Sequence, residues 1–300
     1  MIPLISSLSY GPLEVLQLPR TWWKVILCKL DILDDEYPDY SGGLDTKVID
    51  ALGLEKDAVL SYLRENVPDY LTFESWIVEQ CGGSIDRGAA DAWNVSVRDR
   101  EHAENKLEET YGDIGWDRGE VDVKSAAVLN SVQDWQLFYS RDLNGDHSCF
   151  GNQVVPLISN LDYGRLGVSQ LPRTWYKILM RSKNLLHSDY PDMTKGGLDP
   201  QVLEVLNLKP DAVVAHVRKE QPDFVQFENW VLDQNDGQLD LGAIDKWNAF
   251  LKTRIHNDGK QTEIRATLGR ESDTDMTSAA VLNMTEDFHY AYRQLMDNVS

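Results

Sequence analysis

The chain has 300 residues and a formal net charge of −20, from 49 acidic and 29 basic side chains. Such a balance lacks the clustered Lys and Arg that nucleic acid or anionic lipid requires, so neither partner is expected. No apolar run approaches the ~20 residues of a membrane helix, so no membrane partner is expected either.

Residues 3–143 return at residues 156–296 with the same landmarks. Pro3-Leu4-Ile5-Ser6 becomes Pro156-Leu157-Ile158-Ser159. Gln17-Leu18-Pro19-Arg20-Thr21-Trp22 becomes Gln170-Leu171-Pro172-Arg173-Thr174-Trp175. Ser125-Ala126-Ala127-Val128-Leu129-Asn130 becomes Ser278-Ala279-Ala280-Val281-Leu282-Asn283. Roughly a third or more of the aligned positions are identical, and a period this long reads as a duplicated domain rather than a solenoid. The expected organisation is a first domain over 1–143, a polar linker over 144–154 and a second domain over 155–300. The short linker predicts that the two copies pair within the molecule, with pseudo-two-fold symmetry.

The first elements follow from helical spacing. Trp22, Trp23, Ile26, Leu27 and Leu30 form one apolar stripe. Its helix starts at Thr21 as a cap, or earlier at Arg20 or Leu18. The loop Tyr37-Pro38-Asp39-Tyr40-Ser41-Gly42-Gly43 breaks the chain, and its copy is one residue longer. Asp45 reads as the N-cap of a helix ending at Gly53, with Asp199 its partner. Asp57 and Asp211 are expected to cap Ala58–Arg64 and Ala212–Arg218. Pro68-Asp69 opens a helix with Phe73, Trp76 and Ile77 inward, and Asp86 and Asp240 cap a helix carrying Ala89, Trp93 and Val97. Residues 98–120 diverge between copies and read as a solvated helix extension or a mobile excursion, with a small hairpin possible near 110–124. A last helix starts at Asn130 or Ser131. The sum is an all-α chain of two homologous domains with five or six helices each.

These landmarks resemble a bacterial domain of unknown function, DUF5069. The resemblance rests on Leu18-Pro19-Arg20 with Lys24, Tyr37, Asp45, Leu52-Gly53-Leu54 and Trp76. In the second copy it rests on Leu171-Pro172-Arg173 with Lys177, Tyr190, Asp199, Leu206-Asn207-Leu208 and Trp230. It covers nearly all of each copy and implies a tandem protein of this family. It brings no activity with it.

Arg20 and Lys24, like Arg173 and Lys177, lie four apart on one helix and form the leading anion site. The competing reading is an internal salt bridge from Arg20 or Lys24 to Asp39, Asp69 or Glu74. Tyr37 and Tyr190 are candidate proton donors in loops that also carry Asp39 and Asp192, although Pro, Asp and Gly there also make a turn. Asp91 and Asp245, each three residues before an Asn, are candidate bases or helix braces. Trp22 and Trp175 are core anchors or the wall of an aromatic pocket. Asn130 and Asn283 read as caps. Glu74/Glu228, Asp69/Asp223 and Asp134/Asp287 are also retained.

By this alignment no histidine matches another, and no HExxH, GxGxxG, GxxxxGK[ST] or GxSxG spacing occurs, so neither metal nor cofactor is expected. Cys28, Cys81 and Cys149 are odd in number and unmatched, and the N-terminal residues lack a secretory signal's pattern. A cytoplasmic location is therefore expected. The functional expectation is a cofactor-independent enzyme using acid–base chemistry on a small anionic metabolite, as a lyase, isomerase or hydrolase. The alternative is a non-catalytic binding or interaction scaffold.

Overall fold

The computed structural model describes residues 1–143 and 153–299. Among them it is all-helical, with three isolated bridges and no strand. No described helix is long and apolar enough to cross a membrane. Most of the linker expected over 144–154 lies outside the described residues. Its last residue, Val154, is bridged to Leu186.

The helix α1 spans Leu18–Lys29, α2 Leu44–Ala51, α3 Lys56–Asn66, α4 Tyr70–Gln80 and α5 Arg87–Arg98. The divergent segment forms α6, Glu104–Ile114, a separate helix rather than an extension of α5 or a hairpin. Its apolar Leu107, Tyr111 and Ile114 are buried, which gives the segment a packed face that charge content had obscured. α7 spans Ala126–Leu137 and runs on into a π-helical turn at Phe138–Asp142. The second repeat gives α8 (Leu171–Ser182), α9 (Leu198–Val205), α10 (Pro210–Glu220), α11 (Phe224–Asp233), α12 (Leu241–Thr253), α13 (Asp258–Thr267) and α14 (Ala279–Val299). Among the described residues each repeat thus carries seven helices, against the five or six expected.

Caps correct several boundaries. Asp69, Asp86 and Asp240 accept from backbone N–H groups of their helices, as capping residues do. Asp57 and Asp211 do not cap; Glu55 and Lys209 precede α3 and α10, and both aspartates fall in the first turn, where a negative charge favours the helix dipole. α7 begins at Ser125, whose hydroxyl accepts from Val128 N–H, five or six residues before the expected start. α1 begins at Leu18 with Pro19 in its first turn, so Thr21 is an interior residue.

The described residues divide into two compact units: Met1–Arg100 with Ile255–Ser300, and Glu101–Arg254. These units cut across the sequence repeats. Each takes its first five helices from one repeat and its last two from the other.

In the first unit, Trp22 packs against Tyr70 of α4 (ring centroids 5.3 Å) and Phe288 of α14 (6.3 Å). Tyr292 of α14 donates its hydroxyl to Val67 O at 2.6 Å. In the second unit, Trp175 packs on Phe224 (5.4 Å), which in turn meets Trp135 of α7 (4.7 Å). Tyr139 donates to Gln221 O at 2.5 Å. Val67 and Gln221 end α3 and α10 with φ of 43° and 46°. The tyrosines therefore satisfy carbonyls that those left-handed helix ends turn away from the helix.

Candidate functional site

The expected anion anchors lie in the first two turns of α1 and α8, and their charges are engaged there. Lys24 Nζ contacts Asp45 Oδ2 at 2.7 Å with both side chains buried. Asp45 is not an N-cap. α2 starts at Leu44 with Gly43 before it, two residues earlier than expected, and the Asp45 carboxylate turns toward α1. It accepts from Gln17 Nε2 (2.8 Å), Thr21 Oγ1 (2.7 Å) and Ser41 N (2.8 Å) besides Lys24. Burial pushes this carboxyl up, but Lys24, Ser41 and Thr21 together bring it below its ordinary value. The cluster also explains Gln17, whose φ of 71° is unusual for a non-glycine residue.

The second repeat rebuilds this cluster. Lys177 contacts Asp199 at 2.6 Å, and Gln170 and Thr174 donate to the same carboxylate. Lys177 also donates to Pro191 O at 2.7 Å. Burial, which Asp199 only partly offsets, holds the Lys177 ammonium below its ordinary value.

Arg20 and Arg173 point elsewhere. Arg20 Nη1 donates to Pro3 O and Ile5 O at 2.7 and 2.8 Å, and Arg173 Nη1 donates to Pro156 O and Ile158 O at 2.7 Å each. Each guanidinium lies 5.8 Å from the ring centroid of its loop tyrosine, Tyr37 or Tyr190. The structure thus brings Arg20 to Tyr37 and Arg173 to Tyr190. The acids expected to pair with Arg20 or Lys24 have other partners. Asp39 pairs with Arg64. Asp69 caps α4. Glu74 accepts from Tyr70. Asp192 lies 3.7 Å from Arg181 and 3.6 Å from Arg218.

Trp22 and Trp175 are fully buried, with indole N–H groups donating to Pro68 O and Pro222 O. Asp91 and Asp245 are exposed on α5 and α12. Asn94 and Asn248 are the braces: Asn94 accepts from Leu16 N and donates to Glu14 O, and Asn248 accepts from Ser169 N and donates to Gly167 O.

Asn130 and Asn283 are not caps either. They bind His102 Nε2 and His256 Nε2, both at 2.8 Å. His102 and His256 therefore correspond, which corrects the expectation that no histidine is matched. The divergent residues around them had hidden the equivalence. Among the described residues no group of three or more His, Cys, Asp or Glu side chains is placed to hold a metal ion.

A strongly perturbed carboxyl outside the expected site belongs to Glu74 on α4. It is buried, and accepts from Tyr70 Oη at 2.7 Å and from Leu13 N at 3.2 Å. Burial raises it from 4.5 to about 7, against the pull of Tyr70, Leu13, Arg270 and Arg87. Gly11 is needed for this fit: a Cβ there would stand 2.3 Å from the Tyr70 ring and 2.8 Å from Glu74 Oε1.

Glu74 lines a pocket of about 140 Å³ with Leu13, Ser75, Arg270 and Met276. Arg270 Nη2 donates to Ser75 Oγ at 3.0 Å and to Leu71 O at 3.4 Å, while Nη1 lies 3.7 Å from Asp273, which lines the same pocket; about a third of the Arg270 side chain stays exposed. Glu228 is the second-repeat equivalent, likewise buried and raised to about 7 by burial. Its surroundings differ. Phe224 stands where Tyr70 stands, and Trp116 follows α6 where Arg270 follows α13.

Glu74 was visible in sequence only as one retained acid among several. The retained glycine pair Gly11/Gly164 is the signal that would have singled it out. Arg270 had no signal, because it reaches this pocket from the far end of the other repeat. Compared with protein-family models, curated proteins and solved structures, the chain matches none.

Proposed function

We propose that the protein is an enzyme that moves a proton on a small anionic molecule, as a lyase, isomerase or hydrolase, without a cofactor. The reading rests on one observation: the buried Glu74, raised to about 7, lines a pocket that also holds Arg270. A carboxyl in that range exchanges its proton readily near neutral pH. Arg270 supplies a cation for a carboxylate or phosphate that would take the place of its long 3.7 Å contact to Asp273, and Tyr70 orients the Glu74 oxygen. Arg20, Lys24, Arg173 and Lys177 act in this reading as internal braces.

A scaffold without catalysis is the second reading. It is favoured by the polar residues shared by both repeats, which close on one another around Asp45 and Asp199. The DUF5069 resemblance, the domain duplication and a cytoplasmic location belong to the same proposal. The net charge of −20 supports a partner other than nucleic acid.

The test is proton exchange in deuterated water. Malonate, pyruvate and inorganic-phosphate esters of small alcohols are incubated with the protein and followed by NMR. Wild type is expected to exchange or consume at least one, and Glu74→Gln none. Equal turnover by Glu74→Gln removes Glu74 from the chemistry, and no turnover across the panel favours the scaffold.

A further inference from the structure

Glu14 holds a backbone conformation that its counterpart reaches with glycine. Its φ is 54°, and the aligned Gly167 has φ 69°. A side chain in the left-handed region is strained in a way that glycine avoids. The backbone there is set by a bond both repeats share: Asn94 Nδ2 donates to Glu14 O, and Asn248 Nδ2 to Gly167 O, each at 2.7 Å. The fold therefore accounts for the positive φ and leaves the glutamate side chain unexplained. Strain kept at one site and absent from its copy points to use of the side chain.

That side chain lines a cleft of about 380 Å³ with Tyr10, Asp91, Asn94, Val95 and Arg98. Glu14, Asp91 and Arg98 are exposed, and among the described residues none of the three side chains is taken up in a hydrogen bond or ion pair. Val95 is apolar yet 54% exposed. The Tyr10 hydroxyl is pushed up by burial and by Glu14, with Arg98 pulling the other way, so it stays protonated and able to donate.

We propose that this cleft binds a free basic amino acid. Two carboxylates and one guanidinium complement two ammonium groups and one carboxylate. The ligand carboxylate sits on Arg98, which can hold it bidentately, with Tyr10 as a further donor. The ammonium groups meet Glu14 and Asp91, and the aliphatic stem covers Val95. The second repeat has Gly167, Ala249 and Lys252 at the corresponding positions, so it lacks one acid, the apolar contact and the planar fork. The site uses neither Glu74 nor Arg270, so it stands or falls separately from the acid–base reading.

The experiment is calorimetric titration of the full chain with L-lysine at low salt, with cadaverine as the analogue lacking a carboxylate. Wild type is expected to bind L-lysine saturably. Glu14→Gly is expected to weaken binding at least about tenfold, the loss of one charged hydrogen bond, while its melting temperature holds or rises as strain is released. Arg98→Gln is expected to weaken L-lysine and leave cadaverine unchanged. Absence of saturable L-lysine binding overturns the proposal, as does a Glu14→Gly variant that binds like wild type. Equal weakening of both ligands by Arg98→Gln overturns the assignment of the carboxylate.

Discussion

Replacing Glu74 with Gln should flatten the fall of stability with pH. The folded carboxyl holds its proton to about 7, whereas the unfolded one releases it near 4.5. Below the unfolded value both states are protonated and burial carries no charge penalty. Between the two values the unfolded chain ionises alone, so stability declines as pH rises. Above the folded value the decline levels off at about 3 kcal/mol, the cost of carrying a carboxyl this far from its ordinary range. Gln cannot ionise, yet its amide oxygen can still accept from Leu13 N. The stability of the variant relative to wild type should therefore improve by about 3 kcal/mol from acid to alkaline pH. Urea unfolding followed by tryptophan fluorescence across that range measures the difference directly. Parallel pH profiles for the two proteins would falsify the burial argument and, with it, the tuning on which the acid–base reading depends. Glu228→Gln should behave alike, since Glu228 is raised to the same value.

Other perturbations probe the architecture. Asp45→Ala leaves the Lys24 ammonium buried without its partner and should cost about 3–5 kcal/mol in chemical denaturation; a loss under 1 kcal/mol, the scale of an exposed pair, would mean that water replaces the partner. Wild type should also lose this contribution on acidification, because Asp45 lies below its ordinary value and the stability it confers disappears as it protonates. Gly11→Ala places a methyl group against Tyr70 and Glu74 and should destabilise by about 1–3 kcal/mol, read as a lowered melting temperature. Residues 1–143 and 153–300, coexpressed as separate chains with a tag on one, should copurify in equal amounts, because each compact unit needs helices from both. Recovery of the tagged chain alone would contradict that division.

Much of the secondary structure was legible because it is local. Apolar spacing places α1, α4 and α5, and three of the aspartate caps sit where a short polar side chain before a helix belongs. Asp45 shows the limit of that reasoning. An aspartate at a helix start fits a cap by pattern, and only the direction of its side chain, into α1, makes it the partner of Lys24. The same holds for Arg20 and Lys24. Their spacing puts both on one helix, but whether a cation faces solvent or a backbone carbonyl depends on neighbours that periodicity cannot name. His102 and His256 were missed for another reason: the segments around them diverged, while their bonds to Asn130 and Asn283 stayed the same.

The sequence by itself determined the helical class, because it follows from short-range spacing. It also determined which polar positions the two repeats share. Tertiary structure decided what those positions do. It spent the shared cations on buried braces and raised a glutamate by enclosing it. It also joined α1–α5 of one repeat to α13 and α14 of the other. Each of these outcomes depends on contacts between residues far apart in the chain, where burial and partner identity, rather than residue type, set the energy.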